Sequence, residues 1–250
     1  MTPNNIQLRT GVIKPVECVK EAWALIKDQY WLFLGITFVG VFVGGAVPLV
    51  LIGPMMVGIY LCLFRRMRGE PVDFGTLFKG FDYFAQSLIA ALLQMIPMVV
   101  IMVPFYIVIF VLMMTSMPRG GGPMDPDASS RFMFTFFGFE AVFILVMIAV
   151  GIAVNIFFMF AFPLIADRGL SGLEAVKLSI KAGKANFGGI LGLLLLNAGI
   201  GLLGVLACYV GVFFIMPISL ASYAVAYRRV FPSISQNFVS PPPPPGNWAA

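Results

Sequence analysis

Apolar residues run along the chain in four long blocks, at about residues 31–64, 84–117, 132–165 and 187–227, with short polar stretches between them. Because about 20 apolar residues cross a bilayer as a helix, the pattern predicts six crossings rather than four. Pro48 and the pair Gly53-Pro54 interrupt the first block, so it reads as a hairpin of two short helices. The last block turns near Cys208 to Gly211. The middle two are joined by the Gly/Pro/Asp-rich loop from Pro118 to Asp127, which makes a third hairpin.

Each hairpin is prefaced by an amphipathic stretch. Val16, Val19, Trp23 and Ile26 share one helical face, as do Leu173, Val176, Ile180 and Gly183, with Phe74, Leu77, Phe78 and Phe81 before the middle hairpin. Lysines and carboxylates occupy the opposite faces, which suits helices lying in the plane of a membrane interface. Shifting the chain by 157 residues aligns Val16-Glu17-Cys18-Val19-Lys20 with Leu173-Glu174-Ala175-Val176-Lys177. After a slip of six residues, Pro54, Tyr60 and Arg65-Arg66 meet Pro217, Tyr223 and Arg228-Arg229. The predicted fold is therefore an all-α integral membrane protein with a parallel internal repeat. Its units are an N-terminal segment (1–14), repeat 1 (15–70), a middle module (71–167), repeat 2 (168–230) and a proline-rich tail (231–250). That tail reads as a disordered extension with a polyproline II rod at Pro241 to Pro245, able to dock a proline-binding partner.

Composition agrees, with 60% hydrophobic residues and 11% charged in a chain of 250, against about 45–50% and 25% in soluble domains. The net charge of +5 does not point to nucleic acid, because the cations sit in short loops. Of the 16 lysines and arginines, all but Arg119 and Arg131 fall on alternate connections. Positive residues are retained in the cytoplasm, so both termini are expected there. No cleavable signal peptide is expected ahead of the first apolar run. The absence of histidine and the presence of only 3 cysteines leave too few ligands for common metal sites or hydrolytic triads, so no catalytic, metal or cofactor site is assigned. Cys18, Cys62 and Cys208 read as free thiols, with palmitoylation of Cys18 an alternative.

The middle hairpin exceeds the bilayer. A helix of thirty-four residues is about 51 Å long against a core of about 30 Å. Segments 105–117 and 132–143 should lie beyond the outer boundary, with Pro104 as a hinge, and either fold back, pack on each other or dock a membrane-protein partner. Glu140, the one acidic residue inside a long apolar run, and the polar Gln94, Asn155 and Asn197 are the candidates for ligand binding or coupling, interhelical hydrogen bonds being the plainer account. Lys20, Lys27, Arg65, Arg66, Lys177, Lys181, Lys184, Arg228 and Arg229 are the candidate contacts to anionic lipid headgroups. Ser171 and Glu174 form a capping-box pattern, and Gly40/Gly44 and Gly188/Gly192 are small-residue patterns that permit close helix packing.

At Pro163-Leu-Ile-Ala-Asp167-Arg168-Gly169, Ser171-Gly-Leu-Glu174-Ala175, Ser179, Gly53-Pro54, Arg65-Arg66 and Gly69-Glu70, the chain resembles bacterial six-helix inner-membrane proteins of the YciC-like group. It also resembles the membrane domain attached to some glycerophosphodiester phosphodiesterases. The resemblance implies a bacterial plasma-membrane location and a six-span bundle, and carries over no catalytic residue. The leading functional expectation is a non-enzymatic scaffold, accessory or regulatory subunit. A transporter or lipid-handling protein binding between the repeats, and a membrane-shaping hairpin protein, are the alternatives.

Overall fold

The structure is a computed structural model that describes residues 6–116, 126–206 and 210–232, all-helical with no strand among them. Its helices are α1 (Pro15–Ile26), α2 (Tyr30–Ala46), α3 (Ile52–Met67), a 3₁₀ helix (Phe74–Tyr83), α4 (Phe84–Ser116), α5 (Pro126–Phe158), α6 (Ala161–Arg168), α7 (Gly172–Ala185), α8 (Phe187–Leu206) and α9 (Val210–Val230). The turn expected at Cys208 and the loop from Pro118 to Asp125 lie outside the described residues, as does the tail beyond Pro232.

Among the described residues, five stretches are long and apolar enough to cross a membrane: Pro15–Ala46, Phe74–Thr115, Met133–Arg168, Phe187–Leu206 and Val210–Val230. The remaining long helix of the first block, α3, has 16 residues, or about 24 Å at 1.5 Å per residue, short of a core of about 30 Å. It is nevertheless more enclosed than the five longest helices, α2, α4, α5, α8 and α9, burying Met55, Val57, Ile59, Tyr60, Leu63 and Phe64. Its neighbour α2 has only 17 residues.

Six helices contact one another in a closed order, α2 to α3, α4, α5, α8, α9 and back to α2. The prefacing helices close a second cycle. Each packs mainly on the hairpin that precedes its own: the 3₁₀ helix on α2 and α3, α7 on α4 and α5, and α1 on α8 and α9. Residues before α1 join this closure, since Ile13 is buried and the Arg9 amide donates to the Val230 carbonyl at 3.0 Å. The N-terminal segment is thus part of the packed body from about Arg9 onward. At the far end of the chain Phe231 is fully buried against Phe160 and Tyr227, so the tail departs later than the expected Phe231.

The amphipathic faces divide in two. Mostly small residues meet protein, with Cys18 and Ala22 of α1, Thr76 and Gly80 of the 3₁₀ helix, and Ala175, Ser179 and Ala182 of α7 all buried, each set joined by one large residue, Ile26, Leu77 or Val176. Bulky apolar residues on the same helices stay exposed, among them Val16, Trp23, Phe74, Phe78, Phe81 and Leu173. Small residues let backbones approach, and in a medium as apolar as the side chains it is this close packing, rather than exclusion of water, that holds helices together.

Local chemistry explains the boundaries. Pro15 opens α1 and Pro54 and Pro163 lie in the first turns of α3 and α6, where a missing N–H breaks no bond. The block expected as one helix at 132–165 is divided at Met159–Phe160. Ser179 bridges the break, its hydroxyl donating to the Phe157 carbonyl at 2.7 Å and accepting from the Phe160 amide at 3.1 Å. Gly169, with φ of 61°, ends α6 in the left-handed conformation a side chain would oppose, and Ser171 with Glu174 forms the expected capping box. The glycine patterns also serve packing: Gly40 faces Ile59, Gly44 faces Ile52, and Gly192 faces Pro15.

Pro104, the expected hinge, lies inside a continuous helix. α4 runs uninterrupted through Pro97 and Pro104 over 33 residues, and α5 also has 33. The two arms touch through Phe105 and Phe143, stacked at 3.6 Å between ring centres. Most of their other apolar side chains stay exposed, including Tyr106, Phe110, Phe134 and Leu145.

Candidate functional site

Three places could carry function: the polar residues of the apolar runs, the basic ends of the helices, and the space between α2–α3 and α8–α9. The first do not form a site. Glu140 is half-exposed on α5 and Gln94 half-buried on α4, neither making a side-chain hydrogen bond among the described residues. Asn155 is exposed and donates to the Gly151 carbonyl one turn back at 2.9 Å, which satisfies it locally. Asn197 is buried, and its amide donates to the Ser222 hydroxyl on α9 at 3.0 Å and to the Leu193 carbonyl at 3.1 Å. Its Oδ1 has no partner. Asn197 thus ties α8 to α9, and no hydrogen bond joins any two of the four.

At the basic ends the candidate headgroup contacts separate by residue type. Lys20, Lys27, Lys177, Lys181 and Lys184 are exposed, and none is in an ion pair. The four arginines are turned inward. Arg65 donates to the Thr76 hydroxyl at 2.9 Å, and Arg66 to the Leu25 carbonyl at 3.0 Å and to Asp28 at 3.2 Å. Arg229 reaches Glu21 at 2.7 Å and Glu17 at 3.1 Å. Both Arg66 and Arg229 therefore clamp α1, from α3 and from α9. A planar guanidinium matches carboxylates and carbonyls in fixed directions, whereas an ammonium on a flexible stem stays hydrated, which accounts for this division of labour.

Arg228 completes a buried cluster that the sequence pattern did not single out as a site. It donates to Asp167 through both terminal nitrogens, at 2.7 and 3.0 Å, while its Cζ lies 4.4 Å from the centre of the Phe64 ring. The Tyr227 hydroxyl and Arg168 Nε also donate to Asp167, at 2.8 and 2.9 Å, and Arg168 reaches the Pro232 carbonyl at 2.7 Å. The Asp167 side chain is only 10% exposed and those of Arg168 and Arg228 9% and 18%. Asp167 accepts all four of these side-chain bonds, so the cluster is a lock between α6 and α9. Nearby, Arg68 hydrogen-bonds Glu70 and holds its carboxyl below the usual range, and the Thr76 amide does the same for Asp73 at the start of the 3₁₀ helix.

The third place is a half-open crevice of about 250 Å³ lined by Val41 of α2, Met56 of α3, Gly201 of α8, and Val212, Ile215, Met216, Ser219 and Leu220 of α9. A carrier of polar solutes would want polar groups there, yet Asn197 and Gln94 are not among its lining residues. Cys18 and Cys62 are free and buried, so Cys18 offers no accessible thiol for acylation in this conformation; Cys208 lies outside the described residues. Among the described residues no three His, Cys, Asp or Glu side chains gather as metal ligands.

Comparison of the chain with protein-family profiles, with curated proteins and with solved structures finds no match.

Proposed function

We propose that this chain is a non-enzymatic, six-crossing protein of the bacterial plasma membrane, akin to the YciC-like group, that serves as a scaffold or accessory subunit for another integral membrane protein. The observation that carries this reading is the α4–α5 hairpin. Its two helices of 33 residues each reach about 50 Å, beyond a hydrocarbon core of about 30 Å. Their outer halves keep apolar residues exposed, Phe110 and Phe134 at 61% and 81%. Lipid covers such surface only within the core, so the remainder calls for protein. The other end is fastened by the arginine clamps, which suits a rigid base for a projecting arm.

A photo-crosslinking residue at Phe110 or at Phe134 is expected to give, in intact cells, one discrete adduct of the same mass from both positions. Leu195, 60% exposed on α8, should give none. Adducts at neither arm position, or equal adducts at all three, would end the scaffold reading.

In this topology the in-plane helices lie on the cytoplasmic side, their exposed lysines against anionic headgroups and their exposed Trp23, Phe78 and Leu173 in the acyl boundary. The two halves α1–α3 and α7–α9 descend from a duplication, and both termini are cytoplasmic. Lys79 and Lys181 are exposed on the 3₁₀ helix and α7. With the native cysteines replaced by alanine, Lys79→Cys and Lys181→Cys are expected to react with an impermeant maleimide only after permeabilisation. Reaction of either on intact cells would reverse the orientation.

A further inference from the structure

We infer that the crevice between the repeats is a binding site for a single hydrocarbon chain, the acyl chain of a lipid or fatty acid. The inference needs the chain to sit in a membrane but is independent of the scaffold role.

The lining is apolar apart from Ser219, and the volume is about 250 Å³. That exceeds the engineered apolar cavity of about 150 Å³ that stays dry and takes up benzene. Water gains too few hydrogen bonds in such a place, and an empty space forfeits dispersion contacts along its whole wall. A flexible alkyl chain restores them. The lining residues are half-buried rather than enclosed, so the crevice opens sideways and a chain can enter while its polar end remains outside.

The short first hairpin makes this opening. At 17 and 16 residues, α2 and α3 end about 5 Å short of a core of about 30 Å. The connection between them, Val47 to Leu51, is apolar, with Val47, Leu49 and Val50 exposed. Leu49 holds a φ of 75°, rare for a branched side chain. The turn therefore sits within hydrocarbon rather than at a headgroup surface, and it leaves the flank of α8 and α9 uncovered at acyl-chain depth. Gly201 contributes the rest: a Cβ built there meets nothing within 4 Å, so the space in front of it is open. Met56 and Ser219 are repeat counterparts, which places the crevice on the seam between the two halves.

The test uses the full chain in nanodiscs of phosphatidylethanolamine and phosphatidylglycerol. These are doped either with a phosphatidylglycerol carrying a mid-chain diazirine or with free diazirine palmitate, then irradiated and mapped by peptide mass spectrometry. With at least one probe, adducts at Met56 and residues 212–220 should exceed those on the exposed α4 positions Val99 to Val103 by about tenfold. Labelling by the phospholipid alone assigns the site to membrane lipid, and labelling by palmitate to free fatty acid. Gly201→Phe, which fills the crevice, should remove that excess while α4 labelling is unchanged; Gly201→Leu serves the same purpose if the larger residue prevents a monodisperse preparation. Crevice labelling no greater than that of α4 with both probes, or an excess that survives both substitutions, overturns the proposal.

Discussion

Replacing Asp167 with alanine is expected to destabilise the protein by about 3–5 kcal/mol, the range for breaking a buried ion pair by removing one partner. Three residues donate four hydrogen bonds to this carboxylate. Its removal leaves the guanidinium of Arg228 against Phe64, and that of Arg168 beneath Pro232, with no counter-charge. Glu17 is the contrasting case. Its bonds to Lys14 and Arg229 lie at the surface, with 48% of the side chain exposed, so Glu17→Ala should cost far less than Asp167→Ala. Asp167→Asn should fall between the two, because the amide oxygen still accepts from Tyr227 or Arg228. Denaturant unfolding in detergent micelles, followed by circular dichroism, ranks the three. If Asp167→Ala is no worse than Glu17→Ala, the cluster is not the lock between α6 and α9.

The contrast also shows what sequence alone can read. The all-helical character followed from run length, and the interruption of the first block between α2 and α3 from Pro48, since a missing N–H and a fixed φ act locally; the separate α6 did not. The capping box at Ser171 was visible for the same reason: its partners are three residues apart. Asp167 and Arg228 are 61 residues apart, and nothing local distinguishes an arginine that snorkels to lipid from one that turns inward. The only hint was residue type, since every inward-turned member of the candidate set is an arginine. The crevice was invisible for another reason. Its valines, isoleucine, leucine and methionines are the same residues that face lipid elsewhere, so only the packing of α2 and α3 against α8 and α9 marks them. Conversely, Pro104 looked like a hinge, but a proline in a lipid-exposed helix can be accommodated by local adjustment of the turn and does not have to end it.

Gly58→Ala should be nearly as damaging as loss of the Asp167 carboxylate, at about 3 kcal/mol, the upper end of overpacking costs. The added methyl would overlap the Leu77 carbonyl of the 3₁₀ helix, which is backbone and cannot swing aside. Gly80 makes the reverse approach, where a methyl would strike the Pro54 carbonyl and the Gly58 backbone. The two glycines are one contact seen from both sides, and this contact seats the 3₁₀ helix on α3. Gly45→Ala, at an exposed position on α2 with nothing within 4 Å, should instead stabilise by about 0.5–1 kcal/mol, as alanine does over glycine inside a helix. Coupling makes the test sharper than the single values. Once Gly58→Ala has pushed the two backbones apart, Gly80→Ala meets less resistance, so the double variant should lose clearly less than the sum of the single losses. Strictly additive losses would mean the two positions act separately, and the seating of the 3₁₀ helix on α3 would then not depend on this approach.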